Sequence, residues 1–375
     1  MSLIWLALPG LLIWSVIALL PWRPWSTRES LDGSPGIPEA DLSPITVLIP
    51  ARNEADVIGR TLASVAAQGT GHRIIVIDDQ SGDGTPRSAA ETGIANLEIV
   101  PGHPLPAGWT GKLWALEQGR LRASSPLILL LDADIELRPG VVATLRDKLE
   151  HDQLALASLM ARLSMSGFWE RLLVPAFIYF FKLLYPFRLS NSGFRHVAAA
   201  AGGCILLRRE ALDAIGGFAA LRGQLIDDCS LAAAVKKSGR RIWIGLTHSA
   251  ASLRPYAGLR PIWDMVARTA FTQLRHSAML LCVCTLLMLA AFALPVAALL
   301  APAAGAQWLA VLSLSLMAAT YVPVLRYYGM NPAWSVTLPV TGTLFLLMTW
   351  TSALRHWHGD GSLWKDRSYA GMEHP

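Results

Sequence analysis

The chain has 375 residues, of which 53% are hydrophobic and only 16% charged, and its mean hydropathy is +0.40. Soluble domains usually carry about 25% charged residues, so a wholly soluble protein is excluded and part of the chain is expected in lipid. The net charge of +5 is spread without a dense basic run. That argues against a nucleic-acid partner and for attraction to an anionic membrane surface.

In chain order, residues 3–20 are apolar or small and uncharged, a length that suits one membrane span. A signal peptide would want a basic start and a small-residue cleavage site, and here Pro21-Trp22-Arg23-Pro24-Trp25 follows directly. Residues 1–22 therefore read as an uncleaved anchor. Arg23 and Arg28 follow the span with no charged side chain before it. The positive-inside rule then puts the next domain in the cytoplasm. Residues 23–44, rich in Ser, Pro and Gly, read as a linker.

Strands and helices alternate from Ile45 onward. Strands are expected at 45–49, 73–79, 97–100 and 127–131, and helices at 54–67, 86–92 and 112–122. This order predicts a doubly wound, mostly parallel sheet. Two of the apolar runs end in acids, Asp78-Asp79 and Asp132-Ala133-Asp134. Ligands in open α/β sheets bind outside the carboxyl ends of the strands, and carboxylates there suit a hard divalent cation, Mg2+ or Mn2+, on a phosphate-bearing substrate. Asp132 and Asp134 are the expected metal ligands.

Pro50-Ala51-Arg52-Asn53-Glu54 sits where the first strand meets the first helix and offers a nucleotide site, with helix capping by Asn53 as the plainer role. After Asp79, Gly82 and Gly84 permit a tight turn, and the dinucleotide fingerprint is absent. Lys112 can reach donor phosphates or simply start an exposed helix. Gly202-Gly203-Cys204 let backbone approach an acceptor, and Asp227-Asp228 can supply a general base or cap a helix.

The aromatic segment 168–187 reads as an interfacial helix, with a buried core helix as the alternative. Residues 258–279 read as a second interfacial stretch. Three apolar stretches at about 280–300, 308–325 and 334–354 make the region 280–355 transmembrane, and a polar tail, 356–375, ends the chain. Trp308, Trp334, Trp350 and Trp357 lie near span ends, as an aromatic belt requires. Four spans would put the tail outside, while Arg355, Lys365 and Arg367 favour the inside, so either one segment is re-entrant or the tail departs from the rule. Cys204, Cys229, Cys282 and Cys284 show no metal-ligand spacing.

Together these motifs resemble the family 2 inverting glycosyltransferases of the GT-A fold over about residues 45–275. The resemblance implies an α/β GT-A catalytic domain over 45–257. In it Asp79 contacts the nucleotide, Asp134 holds the metal and Asp228, in Asp227-Asp228 where the family usually has Glu-Asp, is the base. The family's processive members carry Gln-x-x-Arg-Trp, where this chain has Met265-Val266-Ala267-Arg268-Thr269. Polymer synthesis is therefore not expected, and Arg268 keeps either a diphosphate role or a membrane-surface one. Gly108-Trp109-Thr110-Gly111-Lys112, Ile226-Asp227-Asp228-Cys229 and Ser252-Leu253-Arg254-Pro255-Tyr256 also resemble the hopene-associated glycosyltransferases of bacterial hopanoid gene clusters. That implies a UDP-sugar donor, a lipid acceptor of hopanoid type and a multi-pass protein of the bacterial inner membrane, with a polyprenyl-phosphate, ceramide or carotenoid acceptor as the alternative.

Overall fold

In the computed structural model, residues 6–34 and 40–359 are described, with the backbone of Leu363–Trp364 and Arg367–Ser368. The start of the expected first span, residues 35–39 of the expected linker and, apart from those two backbone stretches, the tail 360–375 lie outside the described residues, including the side chains of Lys365 and Arg367. The elements in chain order are α1 (Leu8–Leu19), β1 (Ile45–Ala51), α2 (Ile58–Ala66), β2 (Arg73–Asp78), α3 (Thr85–Ala90), β3 (Leu97–Pro101), α4 (Gly111–Arg122), β4 (Leu127–Leu131), β5 (Ile135–Leu137), α5 (Val141–His151) and β6 (Leu156–Arg162). Then come α6 (Phe168–Leu184), α7 (Phe187–Ser190), β7 (Cys204–Arg208), α8 (Arg209–Ala214), α9 (Asp227–Lys237), β8 (Ile242–Ser252), α10 (Leu259–Ala267), α11 (Ala270–Gln273), α12 (Ala278–Met288), α13 (Leu294–Leu299), α14 (Ala304–Tyr327) and α15 (Leu338–His358). Two short strands, β9 (Leu363–Trp364) and β10 (Arg367–Ser368), follow.

Two compact units divide the described chain. The α/β unit takes Glu29–Ser164 and Leu189–Pro255. Its sheet runs β3-β2-β1-β4-β7-β6-β8-β5. The first four strands are parallel neighbours, as the alternation predicts. The second half is mixed, because β7 runs antiparallel to both β4 and β6, and β5 antiparallel to β8. Both faces are buried. Val47, Ile49, Ile74, Val76, Leu129 and Leu131 face a core shared with α2 and α5, while Leu48, Ile75, Ile77, Ile128 and Leu130 face one shared with α4, α8 and α9. The period-2 alternation of a strand sends successive side chains to opposite faces, so an unbroken apolar run is what a sheet covered on both sides needs.

Residues 29–34 depart from the linker expectation. Leu31 N–H donates to Leu246 O at 3.0 Å and Leu246 N–H to Glu29 O at 2.8 Å, so the segment lies along β8. Asp32 Oδ1 accepts from Thr247 Oγ1 at 2.9 Å, and Gly33 N–H donates to Ser249 Oγ at 2.9 Å. Backbone and side-chain polar groups in one strip outweigh its flexible composition.

The helical unit takes residues 6–28, Met165–Arg188 and 256–359. Ala278–Leu299, Ala304–Tyr327 and Pro332–His358 are long and apolar enough to cross a membrane. Helix α1 has 12 residues, about 18 Å at 1.5 Å per residue, which is short of the ~30 Å hydrocarbon core. The described first helix is therefore shorter than the span expected over 3–20. It is fastened to the segment that joins α12 to α13 at a specific defect. Pro295 has no N–H to give to Ala291 O, and residues Leu289–Ala293 form a π-helical turn ahead of it. Trp14 Nε1 donates to that carbonyl at 2.9 Å.

Helix α6 belongs to this unit rather than to the α/β unit, which corrects the domain boundary expected from sequence. Its Leu172, Leu173, Val174, Ala176, Ile178 and Tyr179 are buried, and Tyr179 OH hydrogen-bonds Thr320 Oγ1 at 2.8 Å. One side of α6 is thus packed, while Phe168 and Leu184 are 62% and 55% exposed. Glu170 closes its first turn by accepting from Ser166 and Gly167 N–H at 2.8 Å.

Candidate active site

The carboxyl ends of β1 and β2 are welded together by their loops. Asn53 N–H donates to Ser81 Oγ at 3.0 Å, Gly82 N–H returns a bond to Asn53 Oδ1 at 3.0 Å, and Glu54 N–H donates to Thr85 Oγ1 at 2.8 Å. Asp83 takes Ala55 N–H at 3.0 Å. Arg52 spans the gap and donates to Asp79 O at 2.6 Å. Asn53 adopts the left-handed region at φ 51°, which asparagine tolerates better than most residues. It does not cap α2, whose N-cap is Val57. Asp78 and Asp79 are buried at 8% and 2% exposure, and the Asp78 carboxylate accepts from Ser81 N–H. Pro50, Arg52, Asn53, Glu54, Asp78 and Asp79 thus form one rigid edge.

The turn after β4 carries Asp132 and Asp134. It is held from three sides: Asp132 N–H donates to Gly203 O at 3.2 Å, Thr61 Oγ1 to Ala133 O at 2.8 Å, and Leu253 N–H to Asp134 O at 2.7 Å. Ser252 Oγ donates to Asp134 Oδ2 at 2.9 Å, and Arg254 Nε lies 3.8 Å from the same oxygen.

Beside this turn, Lys112 from the first turn of α4 meets the start of α9. Its Nζ is 2.8 Å from Asp132 Oδ1 and 3.6 Å from Asp227 Oδ2. Asp228 accepts from Gly202 N–H at 2.8 Å and from Cys229 N–H at 2.7 Å. The backbone of Gly202 comes close to both groups: a Cβ there would stand 3.0 Å from Lys112 Nζ and 3.5 Å from Asp228 Oδ2. Pro50, Leu113, Leu116, Leu130, Leu131, Ile205, Phe218 and Leu221 complete the pocket wall.

The electrostatics follow from that packing. Burial and the neighbouring Asp227 push the Asp228 carboxyl up to about 6, against Lys112 and its two backbone donors. Burial also raises Asp132, with Lys112 pulling the other way. Burial alone would lower the Lys112 ammonium, yet Asp132, Asp227 and Asp228 outweigh it and raise its pKa. The site holds a locked cation among carboxylates, one of which titrates near neutrality.

Lys112 meets acids in this structure, a contact the sequence did not suggest. Cys204, expected on the acceptor side with Gly202 and Gly203, is instead 1% exposed in the core; strand alternation turns its neighbour Ile205 to the pocket. Arg268 ends α10 in the helical unit. Ser252 and Arg254 were the side chains given no role by sequence reasoning; their motif was visible, their approach to Asp134 was not. Among the described residues no group of three or more His, Cys, Asp or Glu side chains is placed to hold a metal by itself. Asp132 and Asp134 nevertheless fit Mg2+ or Mn2+, since such ions are commonly bound by one or two carboxylates plus substrate phosphates.

A mixed, mostly parallel sheet with acids at its carboxyl edge is a GT-A type of fold. The sequence agrees, because residues 46–216 match the family described as "Glycosyl transferase family 2". That match takes in the strands from β1 to β7 and the turn that carries Asp132 and Asp134. A 102-residue stretch is 37% identical to the 4,4'-diaponeurosporenoate glycosyltransferase of Staphylococcus aureus, covering 27% of this chain and 27% of that protein. The match therefore spans about a quarter of the length of that curated relative. The mannosyltransferase PcManGT from Pyrobaculum calidifontis, solved with GDP-Man and Mn2+, superimposes with a TM-score of 0.56 at 18% identity, over 95% of this chain and 99% of that one. At that identity the likeness speaks for the fold.

Proposed function

We propose that this protein moves one sugar from a UDP-sugar to a hydroxyl of a membrane lipid, of hopanoid type, with inversion at the transferred carbon. The observation that carries the reading is the Asp228 carboxylate, raised to about 6 and aimed by Gly202 and Cys229 N–H beside Lys112 and Asp132. A base with a pKa near the working pH is what an alcohol nucleophile requires. Asp228 takes the hydroxyl proton as the acceptor oxygen attacks the sugar carbon from the face opposite the nucleotide. One displacement inverts that carbon, and UDP leaves.

Pro50, Arg52, Asn53, Glu54, Asp78 and Asp79 bind the nucleoside in this reading. Gly202 and Gly203 border the acceptor. Asp134, with Asp132, would hold Mg2+ or Mn2+, which when bound neutralises charge on the departing diphosphate. The Mn2+ of the Pyrobaculum enzyme supports a metal-assisted nucleotide-sugar site, with GDP-Man as the donor there. The candidate spans support a lipid acceptor, and this reading puts the protein in the bacterial inner membrane with the catalytic unit in the cytoplasm, on the arginines that follow the first apolar stretch. A second reading, transfer to a carotenoid-like acceptor, is favoured by the S. aureus relative.

The test is UDP release by the purified protein in lipid nanodiscs, with a panel of UDP-sugars and Mg2+ or Mn2+, with hopanoids, with carotenoid acids, or with neither. Release that needs both metal and hopanoid supports the reading. Release with carotenoid acids alone replaces the acceptor, and no release with any donor refutes the proposal.

A further inference from the structure

We propose that Arg254 is a resident counter-ion for the donor-side acids: it occupies Glu54 and Asp134 in the donor-free protein and passes to the diphosphate when a donor brings its own cation. The inference rests on the proposed metal-assisted use of a nucleotide sugar. It assigns Arg254 a positioning role.

Three observations place it. The antiparallel pairing of Ile135 with Ser252 brings the end of β8 alongside the Asp132–Asp134 turn, so residue 254 arrives beside Asp134 through the sheet itself. One guanidinium then serves two acids far apart in sequence: Nη2 pairs with Glu54 Oε2, and Nε stands 3.8 Å from Asp134 Oδ2. The exposure is also graded. Glu54 and Asp134 side chains are 10% and 20% exposed, while Arg254 is 45% exposed. The acids are recessed and the cation is the outer member, so it can leave without them.

Recessed carboxylates need a positive partner. Either the guanidinium or a divalent ion satisfies that need at Asp134, so the two compete. A guanidinium released from a carboxylate is well shaped for phosphate oxygens, which it binds through two parallel N–H bonds. Linkage makes the effect reciprocal: whatever draws Arg254 away favours the metal, and the metal favours Arg254 on the diphosphate.

The experiment uses full-length protein in nanodiscs and two readouts other than turnover. Mn2+ binding is followed by the electron paramagnetic resonance signal of free Mn2+, first without nucleotide and then with UDP. UDP binding is followed by calorimetry at saturating Mn2+. Arg254→Gln should bind Mn2+ about threefold or more tightly without nucleotide, the range expected for losing a partly exposed ion-pair competitor. The same variant should bind UDP about tenfold more weakly, the scale of a lost charge-assisted bond. Arg254→Lys, which keeps the charge, should leave nucleotide-free Mn2+ affinity near wild type. Unchanged or weaker Mn2+ binding by Arg254→Gln without nucleotide overturns the proposal while leaving the metal site intact. A wild-type protein that takes up no Mn2+ even with UDP overturns the metal reading itself, and this inference with it.

Discussion

Replacing Asp228 with Asn should separate activity from stability. The wild-type carboxyl titrates at about 6, above its ordinary 3.8. A folded-state pKa above the unfolded one means the folded protein holds the proton more tightly. That contribution to stability is complete below about pH 4 and is lost as pH rises through about 6. At neutral pH the ionised group therefore costs about 3 kcal/mol, taking 1.36 kcal/mol per pKa unit. Asn removes the buried charge beside Asp227 and keeps one oxygen to accept from backbone N–H. Its melting midpoint should be equal to or above that of wild type. Turnover should fall by about 10²–10⁴, the usual worth of a general base. In the wild type, kcat/KM should drop about tenfold between pH 7.5 and pH 5, because the free enzyme's ionised fraction falls by that factor. The assay is UDP release across pH in nanodiscs, paired with thermal melting and UDP binding. An Asn variant that keeps more than a tenth of the rate would refute the base assignment. One that melts several degrees lower would refute the electrostatic reasoning.

Two further substitutions test the surroundings. Lys112→Met strips the cation from Asp132, Asp227 and Asp228; it should cost about 3–5 kcal/mol, as unpaired buried charges do, and move the kcat/KM profile to higher pH, both read by melting and by rate. Lys236 is 4% exposed, and its Nζ donates to Leu189 O at 3.2 Å, Ser190 O at 2.6 Å and Val197 O at 2.7 Å. Lys236→Met should lower stability by about 2–4 kcal/mol through the orphaned carbonyls and reduce activity too, because that segment runs straight into Gly202; an unchanged melting midpoint would show that the latch carries no weight.

Much of the catalytic unit was legible in the chain because its signals are local. Apolar runs such as Ile74–Asp78 and Leu127–Leu131 are strands by composition, and the acids that end them mark the carboxyl edge of a sheet. The reversal of β7, the capture of residues 29–34 by β8 and the assignment of α6 to the helical unit were not legible, since each depends on partners far along the chain. Composition alone made 29–34 a linker. Backbone pairing and burial decided otherwise.

The division is clearest at the site itself. Sequence determined which side chains carry charge and, for some, which strand or helix end each sits on: Asp132 and Asp134 after β4, Lys112 in the first turn of α4. Tertiary structure alone decided that Lys112 locks onto Asp132, that Arg254 reaches Glu54 from 200 residues away, and that Cys204 turns into the core. Residue identity sets a group's chemistry. Its pKa, partner and access depend on Coulomb and desolvation energies, which vary with distance and burial, and these are properties of the folded chain.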